Sequence, residues 1–246
     1  MTMLTPPAAQ AAPSFVDLRA FAADLQAGEP VPDDGNPWAS SRRLLPMPPG
    51  PVTIAALRLS AGSGHAVATP FDDYVILLSG RLRLNDGAET IIEPSRSFVV
   101  PAGIAFDWQA DDDTVAIVMR CPGGTSDTKG LVKVDIDAPR TPSAPPAPEV
   151  LLTPTPDCRN HTDYLSATGE FKVGSWDSTP YHRSAIDYGH YEMMLLLDGE
   201  VEFEDALSDT SATFRAGDVF VLLRGARCSW KHEGFCSKQY AIYRPA

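Results

Sequence analysis

FVVPAGIAFDW, Phe98 to Trp108, returns without a gap as FVLLRGARCSW, Phe220 to Trp230, keeping the phenylalanine, the valine, the glycine and the tryptophan at a shift of 122 residues. A second pair lies upstream: DYVILLSGRLRL from Asp73 aligns with EMMLLLDGEVEF from Glu192 at a shift of 119. The difference of three residues is a loop insertion between the two stretches. Self-similarity at a fixed shift is the mark of a repeated structural unit. In both copies a glycine, Gly80 after Ser79 and Gly199 after Asp198, separates an apolar run from an alternating one. That is where a tight hairpin needs positive φ. Each half therefore holds the same β-hairpin, and the chain reads as two copies of one β domain.

Working outward, TIAALRL, YVILL, RLRL, SFVVP and TVAIVM read as strands in the first half, and EFKVGSW, YEMMLLL, EVEFE, DVFVLLRG and KQYAIYR in the second. The 23 prolines and 18 glycines of the 246 residues punctuate these runs too often for long helices. One short N-terminal helix is expected, capped by Ser14 and carrying Phe15, Leu18, Phe21 and Leu25 on one face. Seven prolines fall between Ala138 and Pro156, a density that holds the backbone extended and removes ladder donors. The expected layout is an N-terminal extension over 1–40, a first barrel over 41–137, a Pro-rich linker over 138–157 and a second barrel over 158–246.

Charge and composition exclude several classes of function. Twenty Lys and Arg against 32 Asp and Glu give a net charge of −12, the wrong sign for a nucleic acid or an anionic membrane as main partner. With 43% hydrophobic and 21% charged residues and no long apolar stretch, the chain reads as a folded, soluble protein without a membrane span. The N-terminus has no basic residue before Arg19 and no apolar core of a secretory signal. Cys121, Cys158, Cys228 and Cys236 form no CxxC pair, so a reduced, cytoplasmic setting is expected. No nucleophile elbow, P-loop or dinucleotide turn is present; CPGGTSDTKG from Cys121 reads as a surface loop and Asp111 to Asp113 as a solvated turn.

An apolar strand ending at a turn glycine, an alternating strand, Gly217-Asp218 and then FVLLRG together resemble the cupin pattern, and two copies resemble a bicupin. The second half is similar to the ureidoglycine aminohydrolase-type cupins through Gly174-Ser175-Trp176 with Thr179-Pro180, Asp198-Gly199-Glu200-Val201, Gly217-Asp218, Gly225, Trp230 and Lys238-Gln239-Tyr240. The resemblance implies an all-β protein of two tandem cupin jelly-roll barrels with a short N-terminal helix. It also implies, in active members, a divalent metal on His-x-His-x3-Glu and a later His, with open positions to polarise a substrate or activate water. The corresponding positions of the second half read Ile186, Tyr188, Glu192 and Cys228, and those of the first read Val67, Thr69, Asp73 and Phe106. Only Glu192 matches, so no cofactor is expected, and the first barrel reads as a structural or dimerising copy.

Glu192 opens an otherwise apolar strand and needs a partner there. His190, Tyr188 and Cys228 are the candidates, and His190, Glu192 and Cys228 leave a three-ligand metal site as a lesser possibility. Against this, Cys228 also reads as a small buried hydrophobe and His190 as part of a solvent-facing turn. Trp176, Trp230, Tyr181, Tyr188 and His182 are expected to wall a pocket with Glu192 at its base, suited to a small polar or cationic ligand. The expected ligand-binding residues are thus Glu192, Tyr188, His190, His182, Cys228, Trp176 and Trp230. The leading expectation is a binder of a small polar metabolite, possible as a homodimer. Two alternatives stand beside it: a hydrolase or isomerase of nitrogen-compound metabolism with Glu192 as base, and a purely structural bicupin.

Overall fold

The apolar runs fold as strands because each has a core on both sides. TIAALRL is the strand Thr53–Leu59, and YEMMLLL opens the strand Tyr191–Asp198, whose first six residues are all buried. In a doubly covered strand the alternation of hydrophobic and polar residues disappears, which is why these segments read as continuous apolar runs. The structure, a computed structural model, describes residues 14–32, 36–124 and 127–246. The Pro/Ala-rich tail lies outside the described residues, as do two positions of the loop that follows Cys121.

Each half pairs a seven-stranded sheet with a four-stranded one, all strands antiparallel. In the first half the large sheet runs Val132–Lys133, Ser97–Val100, Phe71–Ser79, Thr114–Pro122, Thr53–Leu59, Arg42–Leu44 and Glu29–Pro30. In the second it runs Phe15–Asp17, Val219–Leu222, Tyr191–Asp198, Cys236–Tyr243, Phe171–Ser178, Cys158–Leu165 and Thr141–Ser143. The order of equivalent strands is the same, and Gly80 and Gly199 both hold the positive φ expected of them, +82° and +84°.

The backs of the two large sheets face each other and build a shared core from Tyr74, Ile76, Ile117 and Met119 of one half and Tyr191, Met193, Val221 and Ala241 of the other. Gln239 reaches across it, accepting hydrogen bonds from Tyr74 Oη at 3.3 Å and from Ser97 Oγ. The front face of each large sheet closes on its four-stranded partner to form a barrel with its own interior.

Two local expectations change. The N-terminal helix starts later than expected and is shorter: Asp17 caps Leu18–Ala23 by accepting from Arg19 N and Ala20 N, while Leu25 is 62% exposed. The residues before it, Phe15–Asp17, pair with Val219–Leu222 instead, because an open sheet edge offers backbone partners that a free helical turn does not. The Pro-rich linker carries regular structure of its own. Thr141–Ser143 adds an edge strand beside Cys158–Leu165, where Pro142 is tolerated, and Pro148–Val150 makes a 3-10 turn before Leu151 bridges to Arg183.

The first barrel is filled. Asn36 caps the short helix Pro37–Ser40 by accepting from Trp38 N, and Trp38, 4% exposed, enters the interior with its ring centroid 5.0 Å from that of Phe106 and 6.3 Å from that of Trp108. Among the described residues no helix is long and apolar enough to cross a membrane.

Candidate functional site in the second barrel

The strand registers show where the two copies part. Ala116 lies between Leu77 and Leu57 in the first large sheet, and Lys238 lies between Leu196 and Trp176 in the second. A lysine and a tryptophan thus stand where the first barrel has alanine and leucine. That barrel is plugged by Trp38, whereas the second holds an open cavity of about 920 Å³, one wall of it built from the Pro-rich segment.

At the base of the cavity Glu192 and Lys238 form an ion pair, Lys238 Nζ donating to Glu192 Oε1 at 2.9 Å. His190 Nε2 lies 3.5 Å from the other carboxylate oxygen, its side chain 17% exposed. The ammonium also sits 4.6 Å from the ring centroid of Trp230 and 5.0 Å from that of Trp176. Burial alone raises the Glu192 carboxyl, but the Lys238 ammonium and His190 more than offset it and hold the pKa at about 2. A carboxylate so stabilised is a weak general base at neutral pH.

A second cationic group lines the same cavity. Arg183 donates through Nη1 to the carbonyls of Cys228, at 2.9 Å, and Ser184, at 3.2 Å, and through Nη2 to the Tyr188 hydroxyl. Its guanidinium lies 5.5 Å from the Tyr188 ring centroid. Burial pushes the Tyr188 phenol far above its ordinary range and the Cys228 thiol up to about 12.

Of the residues singled out in the sequence, Glu192, Tyr188, His190, Trp176 and Trp230 line this one cavity. Cys228 is fully buried behind it, in contact with Tyr188 and Arg183. His182 is not brought in: strand alternation turns Tyr181 and Arg183 inward and His182 outward, into a separate groove with Leu152, Ser184 and Glu204. The partner of Glu192 is chiefly Lys238, which the sequence reading did not consider for that role, and Arg183 was likewise missed. Each is a charged residue inside a strand-like run, but the face it occupies follows from cross-strand register.

The donor set does not fit a divalent metal. Ile186 offers no donor, the Tyr188 hydroxyl is occupied by a guanidinium, the Cys228 thiol resists ionisation, and an ammonium already sits on Glu192. Among the described residues no three His, Cys, Asp or Glu side chains group to hold a metal ion. An aromatic cage for a cationic ligand is also spoken for, since Lys238 covers the faces of both Trp176 and Trp230.

Residues 165–240 match the family model of the EutQ-like cupin domain. No curated protein matches the chain. Among solved structures, the chain is similar to a protein of unknown function of the DUF861 family from Pseudomonas syringae pv. tomato str. DC3000, with 24% identity and a TM-score of 0.79 over 95% of this chain and 94% of that one. It is similar as well to a cupin 2 conserved barrel domain protein from Leptotrichia buccalis, at 11% identity and a TM-score of 0.56 over 82% and 87% of the two chains. A salicylate 1,2-dioxygenase from Pseudaminobacter salicylatoxidans follows at 12% identity and a TM-score of 0.54 over 95% and 84%. At these identities the likeness is one of fold: two tandem cupin barrels, the second carrying the recognised cupin domain.

Proposed function

We propose that the protein binds a small polar metabolite in its second barrel without using a metal ion. The observation that carries this reading is the contrast between two barrels of one design. The first is closed by Trp38, whereas the second keeps a cavity of about 920 Å³ over a buried Glu192–Lys238 pair. Cavities of this size with a mostly apolar wall and a few fixed polar groups suit small ligands. Set against the filled first barrel, the open cavity over this pair supports binding over a purely structural role. A hydrolase or isomerase with Glu192 as base is disfavoured because Lys238 has already quenched that carboxylate. Four free, buried cysteines suit a reducing compartment, and we propose a cytoplasmic location.

Thermal-shift titration of protein dialysed against a chelator, with a library of polar metabolites, tests the reading. A true ligand at a hundred times its Kd stabilises the fold by about 2.7 kcal/mol. That shift should persist without added metal and vanish in Lys238→Met. Shifts that appear only when manganese, nickel or zinc is restored would overturn the metal-free reading, and no shift from any compound would overturn the binder itself.

A further inference from the structure

Three lysine or arginine side chains are buried among the described residues, and two have a carboxylate. Arg42 pairs with Asp73 at 3.0 Å and Lys238 with Glu192 at 2.9 Å. Arg183, only 5% exposed, is the third, and among the described residues it makes no ion pair. Its bonds go to neutral oxygens, the Ser184 and Cys228 carbonyls and the Tyr188 hydroxyl. These bonds fall on Nη1 and Nη2, none falls on Nε, and Nη2 carries one bond of the two it can make, so the guanidinium keeps donor capacity for an incoming carboxylate. A buried cation without a counter-ion is costly, and an incoming anion would relieve that cost.

The surroundings favour the same sign. Lys172, Arg183, Lys238 and Arg244 line the cavity against two side-chain carboxylates, Glu170 and Glu192, the second already paired. This cationic hollow sits in a chain of net charge −12, so its field is local and draws anions inward.

We propose that the ligand of the second barrel is a small organic acid, its carboxylate clamped by Arg183 and its apolar or aromatic body lying against the aromatic wall. The proposal rests on the reading of that cavity as a small-molecule site and adds the ligand's chemical class.

Calorimetric titration of the full chain with propionate, isobutyrate and benzoate, each alongside the primary amide and the amine of the same skeleton, separates the two claims. The acid of at least one skeleton should bind about tenfold or more tightly than its amide, and sodium chloride should weaken it. Arg183→Met should lower acid affinity by about tenfold or more and amide affinity by much less, so that the preference for acid over amide collapses. Should that variant fail to fold, Arg183→Lys, which keeps the charge and loses the fork, should lose most of the preference for acid over amide. Amides or amines that bind as tightly as the acids, or acid binding that survives Arg183→Met or keeps its preference in Arg183→Lys, would overturn the anion proposal and leave the cavity reading standing. Failure of every skeleton in every charge state would overturn the organic-acid proposal, and the metabolite-library titration would then decide the cavity reading by itself.

Discussion

Glu192 and Lys238 meet across adjacent strands from positions 46 residues apart, and each would be a liability in the barrel alone. Glu192→Gln leaves an ammonium buried without its carboxylate and should cost about 3–5 kcal/mol, whereas Glu192→Gln with Lys238→Met removes both charges and should recover most of that loss. Urea denaturation of the four proteins of the cycle measures it. The pH dependence follows from the same pair. The folded pKa of Glu192, about 2, lies below its ordinary 4.5, so the unfolded chain takes up the proton first as pH falls. The stabilisation is complete above the ordinary value and drains away as pH drops from 4.5 toward 2. Over that window the wild type should lose on the order of 3 kcal/mol more than Glu192→Gln, read from denaturation midpoints at successive pH values. The first barrel keeps a carboxylate at the matching place, Asp73, held below its usual range by Arg42 and Arg120 against the opposing effect of burial.

The repeated hairpins show how an element tolerates or resents its sequence. Ser95 and Gly217 occupy the same turn of the two copies, with Ser95 N donating to Leu77 O and Gly217 N to Leu196 O, and both have positive φ, 61° and 95°. Only the second has the residue suited to it. Ser95→Gly should therefore gain up to about 1 kcal/mol, and Gly217→Ala should lose about 1–2 kcal/mol, a purely conformational cost because a Cβ there meets nothing within 4 Å. Melting temperatures of the two variants check both signs. At the plug of the first barrel, Trp38→Ala should cost about 3–5 kcal/mol and open a dry hollow beside Phe106 and Trp108, visible as xenon uptake in a crystal. Strands, turn glycines and the duplication were legible because apolar runs and positive-φ positions are local signals. The strand Phe15–Asp17 was not, since three residues have no period and their conformation is set by the open edge of Val219–Leu222. The partner of Glu192 depends on cross-strand register, which no local pattern encodes. His182 was misplaced for want of phase: once Tyr181 and Arg183 are known to face inward it must face out, and the register shift between Arg183 and Ile186 resets the count beyond.

At the scale of the molecule, the two barrels are less separable than the sequence boundaries at 41 and 158 suggest. Tyr74, Ile76, Val99 and Ile117 of the first half interleave with Tyr191, Met193, Leu195 and Val219 of the second in one core, and Tyr164 Oη bonds Asp72 Oδ1 across it at 3.0 Å. The N-terminal strand belongs to the sheet farthest from it in sequence, Phe15 pairing with Leu222. Its anchor is specific, with Ser14 N donating to Asp205 at 3.2 Å and Ser14 Oγ accepting from Arg227 N at 3.3 Å. A fragment of residues 138–246 would expose the apolar back of its large sheet and the bare edge of Val219–Leu222, the two features that drive sheets to associate. The whole chain should then unfold in one calorimetric transition, its van't Hoff enthalpy equal to the measured enthalpy, despite holding two barrels. The fragment should be aggregated or lack a cooperative transition, because the core that would make it a domain is half supplied by the other barrel. Two resolved transitions in the whole chain, or a soluble fragment that melts cooperatively, would show that each barrel folds on its own interior and that the shared core only docks them.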